Sequence, residues 1–371
     1  MALTLTNYRA IGLDGGSSEI HVGDDGLVCA SAPPGARVVD CGGAFLSSGW
    51  CDLHVHVWHG GTDISIRAAE AGRGTGVTAM ADAGSAGEAS FHGLREYVID
   101  PAAETVRAFL NIGSIGLVAC NRVPELIDLR SIDVDRTLAV IEANRDVICG
   151  VKVRASGVIV GDWGITPAKI AKRVAEIAGL PLMVHVGEPP PLLDEVFDIL
   201  TPGDIVTHCF NGKKAGSIAD TSALWAQARR LADEGVRMDI GHGAASFDFG
   251  VARRAIEEGL KPWSISTDLH LRNIRGPVYD MALTASKLLA VGLSLDDCIP
   301  AISVRPRSVL GLSGAEGLTP GVKADFTVFD LVDGEYDAVD SLGGHLRLDR
   351  LLEPRMTVLG SDVAPAARRL E

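Results

Sequence analysis

No stretch of this 371-residue chain is apolar for long enough to span a bilayer, and no basic segment followed by a long apolar core opens it. We therefore expect a cytoplasmic protein with no membrane partner. A basic face is missing too: 48 acidic side chains outnumber 34 Lys and Arg, giving a net charge of −14. That balance argues against a nucleic-acid surface, while a small-molecule pocket stays open because its local field can differ from the total. The cysteines (Cys29, Cys41, Cys51, Cys120, Cys149, Cys209 and Cys298) are odd in number and scattered, without a C-x-x-C pair. This argues against a disulfide framework and fits reduced, buried thiols. Internal repeats, low-complexity tracts and flexible linkers are also lacking.

What is there is an ordinary soluble composition, 47% hydrophobic and 22% charged, in a length that suits one large and one smaller domain. Residues 1–48 alternate short apolar runs with Gly, Asp and Pro: Leu3–Tyr8, Ile11–Leu13, Glu19–Val22, Leu27–Ala30 and Val38–Asp40. These read as short antiparallel strands, with turns at Asp24–Asp25–Gly26 and Pro33–Pro34–Gly35. From residue 50 the rhythm becomes strand, loop, helix. The strands are Cys51–Val57, Gly76–Ala81, Ala108–Ile115, Cys149–Arg154, Leu180–Val186, Asp204–Cys209, Arg237–Ile240 and Trp263–Thr267. Helical stretches between them include Ile64–Arg73, Asp135–Asn144, Pro167–Ala178 and Ser222–Glu234, with Thr166 as N-cap ahead of Pro167. Eight strands alternating with helices point to an α/β fold, a (β/α)8 TIM barrel over 49–311. A doubly wound sheet would place a glycine-rich phosphate turn after its first strand, and that place holds His54 and His56. After helices at Met281–Leu289, Asp296–Val304 and Pro306–Leu310, strand character returns at Phe326–Phe329 and Arg355–Leu359. Residues 1–48 and 312–371 should therefore pair in one small β-sandwich domain, since half-buried strands need partners.

The first barrel strand carries the strongest signal, GWCDLHVHVWH over 49–59. Side chains two apart on a strand share a face, so His54 and His56 present two imidazoles together, half of a metal site. Lys152 ends the fourth strand in GVKVRAS, His185 the fifth in LPLMVHVGE, His208 the sixth in DIVTHCFNG and Asp268 the eighth in WSISTDLH. Taken singly, each has a bland reading: a histidine satisfied in the core, an N-cap aspartate, a lysine solvated at the barrel mouth. An isolated buried ammonium is very costly, so Lys152 is otherwise depressed in pKa or chemically modified. Jointly, every polar outlier sits at the carboxyl end of a strand, where barrel enzymes build their sites.

This set resembles the amidohydrolase superfamily in its binuclear branch with a carboxylated lysine. The segment around Asp325 (GVKADFTVFD) is similar to the closing β-segment of dihydroorotases, hydantoinases and deacetylases. VKVRASGVIVGDWGITP, MVHVGEPP, VTHCFNGK, DIGHGAASF and SISTDLH resemble the dihydroorotase-like deacetylase group, which includes hydrolases of acetylated α-hydroxy acids such as acetyl-mandelate. The resemblance implies one divalent ion on His54, His56 and Asp268 and a second on His185 and His208. Lys152, as a CO2-derived carbamate, would bridge both with a hydroxide, and Asp268 would act as catalytic general base and then acid. Four imidazoles with oxygen ligands suit zinc, while manganese, iron and cobalt stay open.

For substrate binding the candidates are Arg154, His242, Asn211 and His270. Arg154 lies two residues beyond Lys152, on the same face, where it either anchors a substrate carboxylate or pairs with a loop Asp or Glu. His242, in GHGAAS, either lines the pocket or builds the turn. Trp58 lines the pocket or packs. His59 and His92 read as loop or surface residues, and Cys51 and Cys209 as core filler. The function expected is a binuclear metal-dependent hydrolase of an acyl ester or amide with a small carboxylate-bearing substrate. Its rivals are a cyclic-amide hydrolase and a mononuclear deaminase, the latter suggested by His185-x-x-Glu188. A catalytically silent scaffold is disfavoured by the intact ligand set. A homo-oligomer stays open.

Overall fold

The computed structural model describes residues 1–15 and 18–369. Both chain ends are β-structure. β1 (Leu3–Thr6), β2 (Arg9–Ala10), β3 (Glu19–Val22), β4 (Val28–Cys29), β5 (Arg37–Asp40) and β6 (Phe45–Ser48) precede the barrel strands. These are β7 (Trp50–Val55), β8 (Val77–Gly87), β9 (Thr105–Asn111), β10 (Ile148–Ala155), β11 (Leu182–Val186), β12 (Ile205–Thr207) and β13 (Arg237–Met238). β14 (Asp325–Val339), β15 (His345–Leu359) and β16 (Asp362–Pro365) close the chain. Sheets β4-β3-β1-β5 and β16-β15-β14-β6-β2 face each other, burying Leu3, Leu5, Ile20 and Val22 of one against Leu46, Phe326, Val328 and Val358 of the other. The chain ends therefore share one sandwich, as the need of each end for strand partners requires.

Four local expectations are corrected here. The N-terminal strands are not antiparallel throughout: β1 pairs β5 and β2 pairs β6 in parallel. Ile11–Leu13 is not a strand; the chain pairs at Arg9–Ala10 instead, beside the unforeseen β6. The short strands expected at Phe326–Phe329 and Arg355–Leu359 are the inner ends of a hairpin whose two arms are 15 residues each. Its outer half alternates charged and half-buried residues, so it reads as loop in a sequence. The hairpin tip reaches the barrel, where Ser341 N–H donates to the Phe247 carbonyl (3.0 Å) and Phe249 N–H to Asp340 Oδ2 (3.2 Å). Thr166 is not the N-cap of its helix: Ile165 holds that position and Thr166–Ala178 is already helical, with Pro167 still in the first turn, where its missing N–H costs nothing.

β7 to β13 form one parallel sheet in sequence order. The expected eighth strand runs at 263–269 and joins its neighbours through single bridges, Asp239 with Ser264 and Leu269 with Val55. Ile240 N–H donates to the Ser264 carbonyl (3.1 Å), and Asp268 N–H to the His54 carbonyl (2.7 Å), which closes the ring. The segment is irregular because its hydroxyls serve buried carboxylates. Ser264 and Ser266 donate to Asp239 (2.5 and 2.6 Å), and Thr267 Oγ to Asp52 (2.5 Å). Helices Val134–Ala143, Thr166–Ala178, Ser222–Asp233 and Phe249–Glu257 alternate with the strands. The helix expected at Ile64–Arg73 shrinks to Ala68–Ala71 and a 3-10 turn at Arg73–Thr75. Ile64 and Ile66 are instead buried as extended chain, and Ile66 N–H donates to the His56 carbonyl (3.0 Å). The fold is a TIM barrel with a β-sandwich built from both ends of the chain. Among the described residues, no helix is long and apolar enough to cross a membrane.

Candidate metal centre

At the carboxyl end of the barrel the six expected ligands converge. His54 Nε2 lies 3.3 Å and His56 Nε2 3.1 Å from Asp268 Oδ1. Lys152 Nζ lies 3.4 Å from His54 Nε2. The rings of His54 and His208 are 5.1 Å apart, and those of His185 and His208 4.3 Å apart. Donor atoms of His54, His208 and Asp268 all fall within 4.8 Å of one another. Two of these residues sit in left-handed backbone, His208 at φ 67° and Asp268 at φ 50°, a cost that ordinary residues bear at functional sites. The kinks turn both side chains toward the barrel axis, His208 just after β12 and Asp268 near the end of the eighth strand.

Hydrogen bonding fixes which ring nitrogens face inward. His208 Nδ1 contacts the Gly241 carbonyl (2.6 Å), which can only accept, so Nδ1 carries the proton. Its Nε2 is then a bare lone pair, and it is buried with no hydrogen-bond partner among the described residues. Thr207 Oγ donates its single proton to Asp239 Oδ2 (2.8 Å), so the 2.8 Å contact between Thr207 Oγ and His54 Nδ1 needs the proton on the imidazole. His54 Nε2 thus also presents a lone pair, aimed at a carboxylate oxygen. Burial, chiefly, holds His54 and His185 well below the ordinary histidine pKa and pulls His208 down to about 3, so all three are neutral at neutral pH. Burial would raise the Asp268 carboxyl, but charge interaction with His54 and His208 and a hydrogen bond from His56 lower it well below the usual carboxylate range, a pull that the neutral imidazoles exert only when a proton or another cation sits among them. Lone pairs facing an anionic oxygen at such distances repel unless a cation lies among them. The donor set fits divalent metal ions.

Lys152 is 1% exposed, and burial pulls its amine down to about 7. Much of it is therefore uncharged near neutrality, the state in which an amine can add CO2. Around this centre sits a supporting layer absent from the sequence reading. Asp239 gathers Thr207, Ser264 and Ser266 behind His54, and Asp82 accepts from Val57 N–H (2.9 Å) and Ser85 N–H (2.7 Å). Ser85 Oγ in turn contacts His56 Nδ1 (3.0 Å). Such partners orient ligand rings and raise their basicity.

A cavity of about 330 Å³ opens above the centre, with His56, His185, Asp268 and His270 at its polar end and Ile64, Leu117 and Cys120 on an apolar wall. Of the substrate-binding candidates, His270 lines it, set by its N–H on Asn273 Oδ1 (2.8 Å). Arg154 lines it as well, but Nε and Nη2 of its guanidinium are taken by Glu125 at 2.7 and 2.6 Å, in a loop after β9. Asn211 is buried and does not line the cavity. Its amide donates to the His208 and Gly216 carbonyls and accepts from Lys213 N–H, which shapes the loop after β12. His242 does not line the cavity: its Nε2 accepts from Lys287 Nζ at 2.9 Å. The GHG segment works through its glycines. A Cβ on Gly241 (φ 50°) would come within 2.7 Å of His208 Nδ1, and one on Gly243 (φ 58°) within 2.5 Å of Asp268 Oδ2. Trp58, half-buried, packs against the core. The missed cavity residues are Ser156, Glu188 in its paired state, Lys213 and Arg272.

No family model matches the chain. It is, however, 53% identical to a deacetylase of Agrobacterium fabrum, over 99% of this chain and 92% of that protein. The chain belongs to the amidohydrolase superfamily. Within it, a solved structure described as a dihydroorotase is 52% identical, with a TM-score of 0.96 over 100% of this chain and 99% of the other. One described as an adenine deaminase is 32% identical, with a TM-score of 0.89 over 98% and 99% of the two chains. As an amidohydrolase this protein is a metal-dependent hydrolase.

Proposed function

We propose that this protein is a two-metal hydrolase of a small acyl ester or amide whose alcohol or amine part carries a free carboxylate. The observation that carries the reading is the unpartnered, buried Nε2 of His208 together with the lone pair of His54 facing Asp268. His54, His56 and Asp268 would hold one ion and His185 and His208 the other, with Lys152 as a carbamate shared between them. Bound there, such ions lower the pKa of a water and polarise a scissile carbonyl. The residues do the rest. Asp268, ionised and at the cavity floor, takes the proton of the attacking water and delivers it to the leaving oxygen or nitrogen. The apolar wall and the backbone kinks exclude solvent and fix the approach.

The deaminase alternative draws on the likeness to an adenine deaminase and on His185-x-x-Glu188. It needs Glu188 as a proton donor. Lys213 Nζ lies 2.9 Å from Glu188 Oε1 and Ser156 Oγ donates to Oε2 (2.9 Å). Against the effect of partial burial, these partners hold Glu188 below its ordinary pKa, so at neutral pH it is ionised. That is the wrong state for a donor. A screen of acetyl esters, N-acyl amino acids, cyclic amides and aminopurines with metal-loaded protein tests the proposal. We expect turnover of an O-acetyl or N-acyl acid above the others; fastest turnover of a cyclic amide, or ammonia release from an aminopurine, would overturn it.

A further inference from the structure

A substrate with a free carboxylate needs a cation in the cavity, and three are present: Arg154, Lys213 and Arg272. They differ in what already holds them. Arg154 is closed off, because Glu125, whose side chain is fully buried, takes its guanidinium through two bonds. A buried carboxylate stripped of that partner would be strongly destabilising, so Glu125 does not yield to a ligand. Arg272 lies at the rim and is exposed, where water and salt screen its charge.

Lys213 is different. Its side chain is only 14% exposed, and among the described residues its one ion pair is to Glu188, whose side chain is 49% exposed. A Cβ placed on Gly187 would lie 3.5 Å from Lys213 Nζ and 3.6 Å from His185 Nε2. The ammonium and the His185 imidazole therefore flank the same point at Gly187, and both line the cavity. An ammonium has three donors, and Glu188 uses one. Glu188 is itself fixed by Ser156 at the end of β10, so the cation is held from two strands in a defined place.

We infer that Lys213 takes the free carboxylate of the substrate, with Glu188 and Ser156 as positioning residues that aim it. The inference rests on the hydrolase reading above and names the group that sets its substrate class. Glu188 keeps the one donor it uses while the substrate carboxylate takes another, so neither the ammonium nor Glu188 is left buried and unpaired. The acid and its methyl ester then differ at one point of contact. Charge-assisted hydrogen bonds of this kind are the strong ones.

The test compares Lys213→Met, Lys213→Arg and Arg272→Met on a substrate acid and on its methyl ester, with calorimetric binding of the product acid as a second readout. For Lys213→Met we expect KM on the acid to rise about tenfold or more with kcat little changed, the methyl ester to stay within about twofold, and product-acid binding to weaken in step. Lys213→Arg should recover most of the loss. Equal losses on acid and ester would overturn the assignment, as would an acid-specific loss in Arg272→Met with none in Lys213→Met. No turnover of any acyl derivative by the unaltered enzyme would instead sink the hydrolase reading, and this assignment with it.

Discussion

Lys152→Ala loses bound metal and turnover together, and short carboxylic acids added to the variant restore part of both. The expectation follows from where the amine sits. It is buried among three neutral imidazoles, 3.4 Å from His54 Nε2 and 3.4 Å from Met183 Sδ. An ammonium there is penalised by desolvation, and the same burial brings its pKa to about 7. In the proposed carbamate the uncharged amine would form a C–N bond to CO2 and release a proton, placing an anion where two cations would lie. Alanine removes that anion, so metal content should fall below one ion per chain. Turnover should fall by ~10³-fold or more, the scale seen when preorganised charge is taken from an active site. A small carboxylic acid fits the space left by the side chain and supplies the missing oxygens. Metal content and kcat measured with and without added acid decide the matter. An unmodified Lys152 in a crystal structure at neutral pH, with both metals present, would sink the carbamate.

Asp268→Asn keeps the fold and removes most of the turnover. The amide is nearly the same size, and Asn273 still donates to the carbonyl of residue 268 (2.7 Å), so the left-handed turn keeps its support. What disappears is the proton carrier. Loss of a general base costs about 10²–10⁴-fold in kcat, and metal affinity should drop less than in the lysine variant, because an amide oxygen can still face His54 and His56. A pH profile separates the roles: the variant should lose the acidic limb that reports ionisation of the carboxylate. Near-normal kcat would mean that another group moves the proton.

Much of this site is legible in the sequence because a barrel made of apolar strands turns polar outliers into a signal. His54, His56, Lys152, His185, His208 and Asp268 each end such a strand, and the closed ring brings the ends together. Asp52, Asp82 and Asp239 lie in or just after such strands too, yet nothing in the sequence marks them as support for the centre. They lie one step deeper or on the other side of a histidine, and only the register shows them receiving Ser, Thr and backbone donors. Arg154 is a different case. Its partner Glu125 lies 29 residues away in an irregular loop, and no periodicity links the two. In the GHG turn the informative residues are Gly241 and Gly243, whose missing Cβ atoms make room for His208 and Asp268, while the conspicuous His242 faces Lys287. The outer half of the β14–β15 hairpin was hidden because one of its faces meets water, so its alternation resembles a charged loop.

Metal stoichiometry tests the central claim most directly. Protein saturated with a divalent metal, freed of excess and measured by elemental analysis should carry close to two ions per chain, with His185 and His208 completing a second site beside the one that His54, His56 and Asp268 would form. At most one ion per chain after saturation would contradict the two-metal account and favour the deaminase reading.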